Sequence, residues 1–173
     1  MRRTQLRRAA PPSPVRARPA VEIRPARMDD AERIRDFVCG LSLKSQSQRF
    51  FAGVTRPSAS LLKSMITRDD RRDALLAVVD DDVVIGHVMG YVTGDCVEIA
   101  VVIADAWQSV GLGGRLVRTL LRRSCAATVS MDVLGDNRKV LSMVRHIWPD
   151  ATMRVSSGSV EIKARNPFAK FAE

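Results

Sequence analysis

The chain has 173 residues, 46% of them hydrophobic, which suits one domain with a buried core. No apolar run approaches a transmembrane helix in length, so no membrane span is expected. The formal charge of +9 includes six arginines within residues 1–20 (Arg2, Arg3, Arg7, Arg8, Arg16, Arg18) and no acid there. That leaves +3 for the rest of the chain, so the charge does not imply a specific nucleic-acid partner.

Residues 1–20, rich in Arg, Ala and Pro, bury too little apolar surface to fold and are expected to be a disordered tail. They lack the apolar core of a secretory signal. An organellar transit peptide is an alternative reading, as is a solvated tail with weak affinity for nucleic acid or an anionic membrane. Residues 21–24 then alternate as a first strand. Asp29 or Asp30 caps a helix reaching Leu41, with Ile34, Phe37, Val38 and Leu41 facing inward. A second helical stretch runs from Ser45 to Phe51. A third starts at Ser58 or Ser60 and carries Leu61, Leu62, Met65 and Ile66. Residues 74–79 and 83–92 form two strands, and Asp80-Asp81-Asp82 between them fits a hairpin. A strand over 97–103 leads to the turn Gln108-Ser109-Val110-Gly111-Leu112-Gly113-Gly114. Beyond it a helix carries Leu112, Leu116, Val117, Leu120 and Leu121 at helical spacing. Residues 128–134 make another strand, and Asp136 or Asn137 caps a helix with Val140, Leu141 and Val144 that Pro149 helps to stop. A closing hairpin, 151–155 with 159–163, turns at Ser156-Ser157-Gly158.

The order β, helices, three strands, α, β, α, ββ gives a mixed α/β domain over residues 21–164, followed by a short tail, 165–173. Cys39, Cys96 and Cys125 show no Cys-x-x-Cys spacing, and His87 and His146 lie far apart. Neither a disulfide framework nor a metal site is expected; the thiols are expected to be buried, in a reducing cytoplasm.

A glycine turn opening a helix presents unpaired backbone N–H groups and the positive end of the helix dipole, a site for phosphate or pyrophosphate. Glycines there let the anion approach the backbone. The turn is not a Walker loop, since no Gly-Lys-Ser/Thr follows, and it is a poor Rossmann match, because Leu116 stands where the third glycine belongs. Glu98, in the strand before the turn, shares a face with Ala100 and Val102. Apolar surroundings would raise its pKa and suit it to act as a base. Exposure to solvent or pairing with an arginine is the alternative, and spacing leaves both open. Arg115, Arg118, Arg122 and Arg123 form a cationic face on the following helix; one of them reaching a phosphate is set against simple solvation.

Strand, Gln-x-x-Gly-x-Gly and helix together resemble the acetyl-CoA motif of the GNAT superfamily of N-acetyltransferases. The resemblance runs from about Val21 to Ala164, and it implies a mixed central sheet flanked by helices, with the acyl-CoA turn between the fourth strand and the next helix. Leu41-Ser42-Leu43-Lys44-Ser45-Gln46-Ser47-Gln48-Arg49-Phe50-Phe51 resembles the "LS..S...RF" segment of the bacterial protein lysine acetyltransferases that control acyl-CoA synthetases. Phe50 and Phe51 are expected in the core, and Arg49 on the surface. The resemblance implies acetyl-CoA as co-substrate and Glu98 as general base. Gln108, Ser109, Val110, Gly111, Leu112, Gly113 and Gly114 would hold pyrophosphate. Backbone groups of Ala100, Val101 and Val102 would meet pantetheine and the thioester carbonyl. Asn137 matches an asparagine that relatives use on pantetheine, although a helix cap explains it equally well.

Two departures stand out. Many relatives have a tyrosine in the last helix as general acid; this chain's one tyrosine, Tyr91, lies in an earlier strand. Ile147-Trp148-Pro149-Asp150 replaces the usual Leu-Gly-Phe end of that helix. Members of the branch often carry a fused cyclic-nucleotide or synthetase domain, and neither is expected within these 173 residues. The resemblance thus implies a cytoplasmic acetyl-CoA-dependent N-acetyltransferase, monomer or homodimer, acting on a protein lysine. A small amine acceptor and a non-catalytic acyl-CoA-binding module are the alternatives.

Overall fold

Two apolar faces on one sheet organise the protein in the computed structural model, which describes residues 19–80 and 82–169. Residues 1–18 lie outside the description, and with them most of the expected tail. The elements are β1 (Glu22–Pro25), a 3-10 turn (Met28–Asp30), α1 (Ala31–Gly40), α2 (Leu43–Phe50), α3 (Ala59–Ile66), β2 (Arg72–Val79), β3 (Val83–Thr93) and β4 (Cys96–Ile103). A second 3-10 turn (Asp105–Trp107), α4 (Leu112–Arg123), β5 (Thr128–Leu134), α5 (Arg138–Ile147), β6 (Thr152–Ser156) and β7 (Ser159–Arg165) complete them. The strands form one seven-stranded sheet in the order β1-β2-β3-β4-β5-β7-β6, antiparallel except where β4 meets β5. This is the mixed α/β architecture expected from the order of elements.

Strand alternation sends one set of side chains to each face. Leu75, Ala77, Val88, Val97, Ile99, Val129, Met131 and Ile162 pack with the α4 stripe Leu112, Leu116, Val117, Leu120 and Leu121 and with Val144 and Trp148. Burying one such large apolar side chain contributes about 1.5–3 kcal/mol. Close approach of α4 needs small residues beneath it. A Cβ on Gly86 would lie 3.0 Å from Leu116 Cδ1, and one on Gly90 3.2 Å from Leu120 Cδ2. The opposite face, with Leu76, Val78, Val84 and Val102, packs against Ile34, Phe37, Val38, Leu62, Met65 and Ile66 of α1 and α3. That second core draws on no residue of β5, β6 or β7, so beyond β4 helices α1–α3 no longer cover the sheet.

Four expectations need correction. Asp30 is not a side-chain cap for α1. It is fully buried, accepts the Arg27 N–H at 2.7 Å, and receives both terminal nitrogens of Arg24 at 2.8 Å. That paired guanidinium holds the Asp30 carboxyl below its usual range. The thiols are not buried: Cys39 and Cys125 are exposed and Cys96 is half-buried, because they stand at a helix end, a loop and a strand start. Phe51 is 50% exposed, since the chain turns left-handed there (φ 59°) to end α2, and only Phe50 packs against the core. Ordered packing also runs past residue 164: β7 ends at Arg165, and buried Asn166 donates to the carbonyls of Leu121 and Ala126.

His87 of β3 is completely buried beneath α3. One ring nitrogen, Nε2, lies 2.8 Å from the Met65 carbonyl and must donate to it; Nδ1 is left enclosed and unpartnered. Burial, reinforced by the nearby Arg49 charge, pushes the imidazole down to about 3. Below about pH 6.5 the unfolded chain therefore binds a proton that the folded protein refuses, and stability falls with pH by up to about 1.4 kcal/mol per unit. Urea melts of wild type and His87→Gln between about pH 6.5 and 4.5 should show a shallower loss in the variant. Parallel slopes would contradict a neutral buried imidazole.

Candidate active site

The site begins where two strands part. β4 and β5 pair in parallel only at Cys96–Thr128, Val97–Val129 and Glu98–Ser130, whereas β4 stays paired with β3 as far as Ile103. The Ala104 N–H donates to Ile85 of β3 at 2.9 Å. By alternation the backbone groups of Val102 and Ala100 also turn toward β3, and those of Val101 and Ile103 turn into the gap. Of the three residues expected to offer backbone groups to a ligand, only Val101 is so placed; ladder pairing occupies Ala100 and Val102.

Past the gap the chain makes the Asp105–Trp107 turn and enters α4 through Gly111, whose φ of 81° suits glycine. No side chain caps this helix, and its first intrahelical bond is from Arg115 N–H to the Gly111 carbonyl at 3.1 Å. The N–H groups of Leu112, Gly113 and Gly114 are thus left without helical acceptors. A hydrogen-bonded chain holds the turn. The Ser42 N–H and hydroxyl donate to Asp105 at 2.9 and 2.7 Å, and the Ser45 hydroxyl donates to it at 2.8 Å. Gln108 Nε2 donates to Ser45 Oγ at 3.0 Å and to the Ile103 carbonyl at 3.1 Å. Lys139 Nζ of α5 donates to Gln108 Oε1 at 2.8 Å. Desolvation would raise the Asp105 carboxyl, but the serine donors outweigh it and keep the group below its usual range. Asp105 is therefore an anionic anchor and not a base.

These elements enclose a cavity of about 480 Å³. Val101, Val102, Gln108, Ser109, Gly111, Leu112, Gly113, Gly114 and Asn137 all line it. Ala100, Val110 and Glu98 do not, and Val110 is 44% exposed. Asn137 accepts the Val140 N–H at 3.3 Å, so it caps α5 and also forms cavity wall. Glu98 is exposed, on the sheet face of Tyr91 and Ser130, its cross-strand neighbours. Of the two settings that spacing left open for it, exposure is the one found, because the helices covering that face stop short of β5.

Arg49 was expected on the surface and instead lines the cavity beside Ser45, Gln48, Arg138 and Lys139. Ser42, Ser45 and Arg49 fall at helical spacing in the sequence, and that polar stripe was the signal for their role. On α4, Arg123 binds Asp73 at 2.6 Å and Arg122 stacks over Phe168 at 4.7 Å. Arg118 lies over the first turn, with Nη1 3.2 Å from where a Gly114 Cβ would sit. Unsatisfied amides, the cations Arg138 and Lys139 and an apolar wall of Val101, Val102, Ile103, Trp107 and Met143 fit a polyanion with an apolar arm, as CoA is. Among the described residues no group of three His, Cys, Asp or Glu could hold a metal ion.

Comparison with known proteins agrees with this geometry. The family described as Acetyltransferase (GNAT) matches residues 43–146. An acetyltransferase of Pseudomonas aeruginosa is 35% identical over 108 residues, 58% of this chain; the chain spans 58% of that relative's length. The GNAT domain of PAT from S. lividans superposes with a TM-score of 0.75 at 25% identity, covering 84% of this chain and 90% of that one. A spermidine N-acetyltransferase from Vibrio cholerae, solved with CoA and spermine, shares the fold with a TM-score of 0.65 at 14% identity, over 86% and 97% of the two chains. The chain belongs to the GNAT acetyltransferase family, whose acyltransferase chemistry uses acetyl-CoA as co-substrate.

Proposed function

We propose that the chain is a cytoplasmic enzyme that transfers an acetyl group from acetyl-CoA to a lysine amine on a protein. The observation that carries the acceptor class is the setting of Glu98. It stands exposed where β4 and β5 part, on a face that α1–α3 leave uncovered, and it lines none of the described cavities. A carboxylate on open surface suits a side chain presented by a folded partner, whereas a small amine needs an enclosing pocket. The motif Ser42-x-x-Ser45-x-x-x-Arg49-Phe50 supports the same branch of the family. Exposed, unpaired Cys39 and Cys125 suit a reducing compartment.

In this reading the amides of Leu112, Gly113 and Gly114 bind the pyrophosphate, and the apolar wall takes the pantetheine arm. The Val101 N–H, which faces the gap, would donate to the thioester oxygen and stabilise the charge that develops there. A lysine amine is mostly protonated at neutral pH, so Glu98 removes its proton, directly or through water. Acetyl-CoA is the group donor and brings the activated acyl carbon.

Thiol release by the purified protein, with acetyl-CoA and either mixed proteins or small amines, tests the acceptor class. Protein-dependent release is expected. Release with polyamines alone would assign a small-molecule acceptor, and binding without release would leave an acyl-CoA-binding module. Glu98→Gln should bind acetyl-CoA as wild type does while turnover at neutral pH drops at least about a hundredfold, recovering partly at high pH as the amine deprotonates unaided. Wild-type turnover across that range would remove Glu98 as the base. For the cofactor, a Cβ at position 113 meets Met143 Sδ at an ordinary 3.5 Å, so Gly113→Leu should fold with its side chain in the cavity. Calorimetry should show acetyl-CoA affinity lower by at least about tenfold, or about 1.4 kcal/mol. Undiminished affinity in the folded variant would exclude this turn as the site.

A further inference from the structure

Arg49 is a half-buried cation with no anion. Its Nε is enclosed without a hydrogen-bond partner, and Nη2 donates only to Met89 Sδ, a weak acceptor, at 3.2 Å. The guanidinium lies 4.9 Å from the centre of the Phe50 ring, and no carboxylate among the described residues pairs with it. Burial lowers it to about 10, which leaves it charged at neutrality. Drawing a charge partly out of water with only a ring face and a thioether to meet it is unfavourable, and it leaves a positive field directed into the cavity.

Its position narrows that use. Met89 is the cross-strand partner of Ala100, so the guanidinium lies beside β4 next to Val101, at the opposite end of the cavity wall from the glycine turn. The charged and titratable groups around it do not neutralise it. His87 on β3 stays unprotonated, and Asp105 is held by Ser42 and Ser45. From α5, Lys139 binds Gln108, and Arg138 is a further cation on the cavity. Glu98 and Tyr91 share the sheet face but lie farther along it, toward the uncovered end. With a neutral acetyl thioester in the cavity, negative charge appears at this end only during the reaction. No tyrosine stands in α5 to meet it.

We propose that Arg49 is the electrostatic acid of acyl transfer, stabilising the thiolate as it leaves. The acceptor nitrogen bonds to the carbonyl carbon, the carbon–sulfur bond breaks, and its electron pair departs on sulfur. The proton lost by nitrogen goes to Glu98 or solvent. Arg49 keeps its own proton and supplies a fixed positive field, so CoA leaves as the thiolate and takes a proton from water. This inference rests on acyl transfer from a thioester, and neither on the acceptor nor on Glu98.

The test needs no acceptor: the ultraviolet absorbance of the thiolate is followed against pH for CoA bound to wild type, Arg49→Lys and Arg49→Met. In wild type the bound thiol should ionise about one to three pH units below that of free CoA. Arg49→Lys should retain part of that shift. Arg49→Met should lose it, with CoA affinity within about threefold of wild type and turnover reduced about a hundredfold or more. A wild-type thiol that titrates like free CoA overturns the proposal whether or not the variants fold. So does a shift that persists in Arg49→Met. Succinyl-CoA bound far more tightly than acetyl-CoA, in an Arg49-dependent way and with an unshifted thiol, would instead give Arg49 to an acyl carboxylate. A failed acceptor screen leaves this titration interpretable, so the two readings fail separately.

Discussion

Everything at the site depends on β4 and β5 pairing for three residues and no more. β4 satisfies one edge against β3 along its whole length, and β5 satisfies its far edge against β7 from Thr128 to Leu134. Neither strand is short of a neighbour, so they can separate after Glu98 and Ser130 without unravelling the sheet. Separation leaves the Val101 backbone groups facing a gap, in a region otherwise packed on one side by α4. In an unbroken parallel ladder those groups would be paired and no cleft would exist.

The second constraint is the hydrogen-bonded chain running from Ser42 through Asp105, Ser45 and Gln108 to Lys139. It ties α2, the end of β4, the glycine turn and α5 around one cavity, and it gives the serines of the "LS..S" segment a physical task. Because Asp105 accepts three donors, the turn is held by an anion whose charge is already satisfied. Arg49, one helical turn beyond Ser45, faces the same cavity with its charge unsatisfied. One helix therefore supplies both an anchor of the glycine turn and a cation on the cavity that no carboxylate among the described residues pairs with.

Most of the fold was legible because its signals are periodic. The α4 stripe, the β2–β3 hairpin and the 128–134 strand each follow from alternation or helical spacing and appear where those patterns put them. The glycine turn was legible because glycines at a helix start, one of them at positive φ, are a short local pattern. Interactions between different elements were not. Asp30 looks like a helix cap until Arg24, six residues earlier, is brought onto it by β1. The apolar strand neighbours of Glu98 left enclosure and exposure both open, because enclosure comes from whatever covers the sheet face, and α1–α3 stop before β5. Arg49 reads as a surface cation because burial without a partner is unfavourable; only the cavity explains it.

Backbone amide exchange on the full chain, with and without CoA, tests the central claim most directly: the strand divergence and the uncapped helix together form the acyl-CoA site. Added CoA should slow exchange at Val101 and from Ser109 to Gly114. The amides of Ala100 and Val102, already bonded within the β3 ladder, should change little. Protection confined to other parts of the chain, with Val101 and the glycine turn unaffected by saturating CoA, would contradict the account.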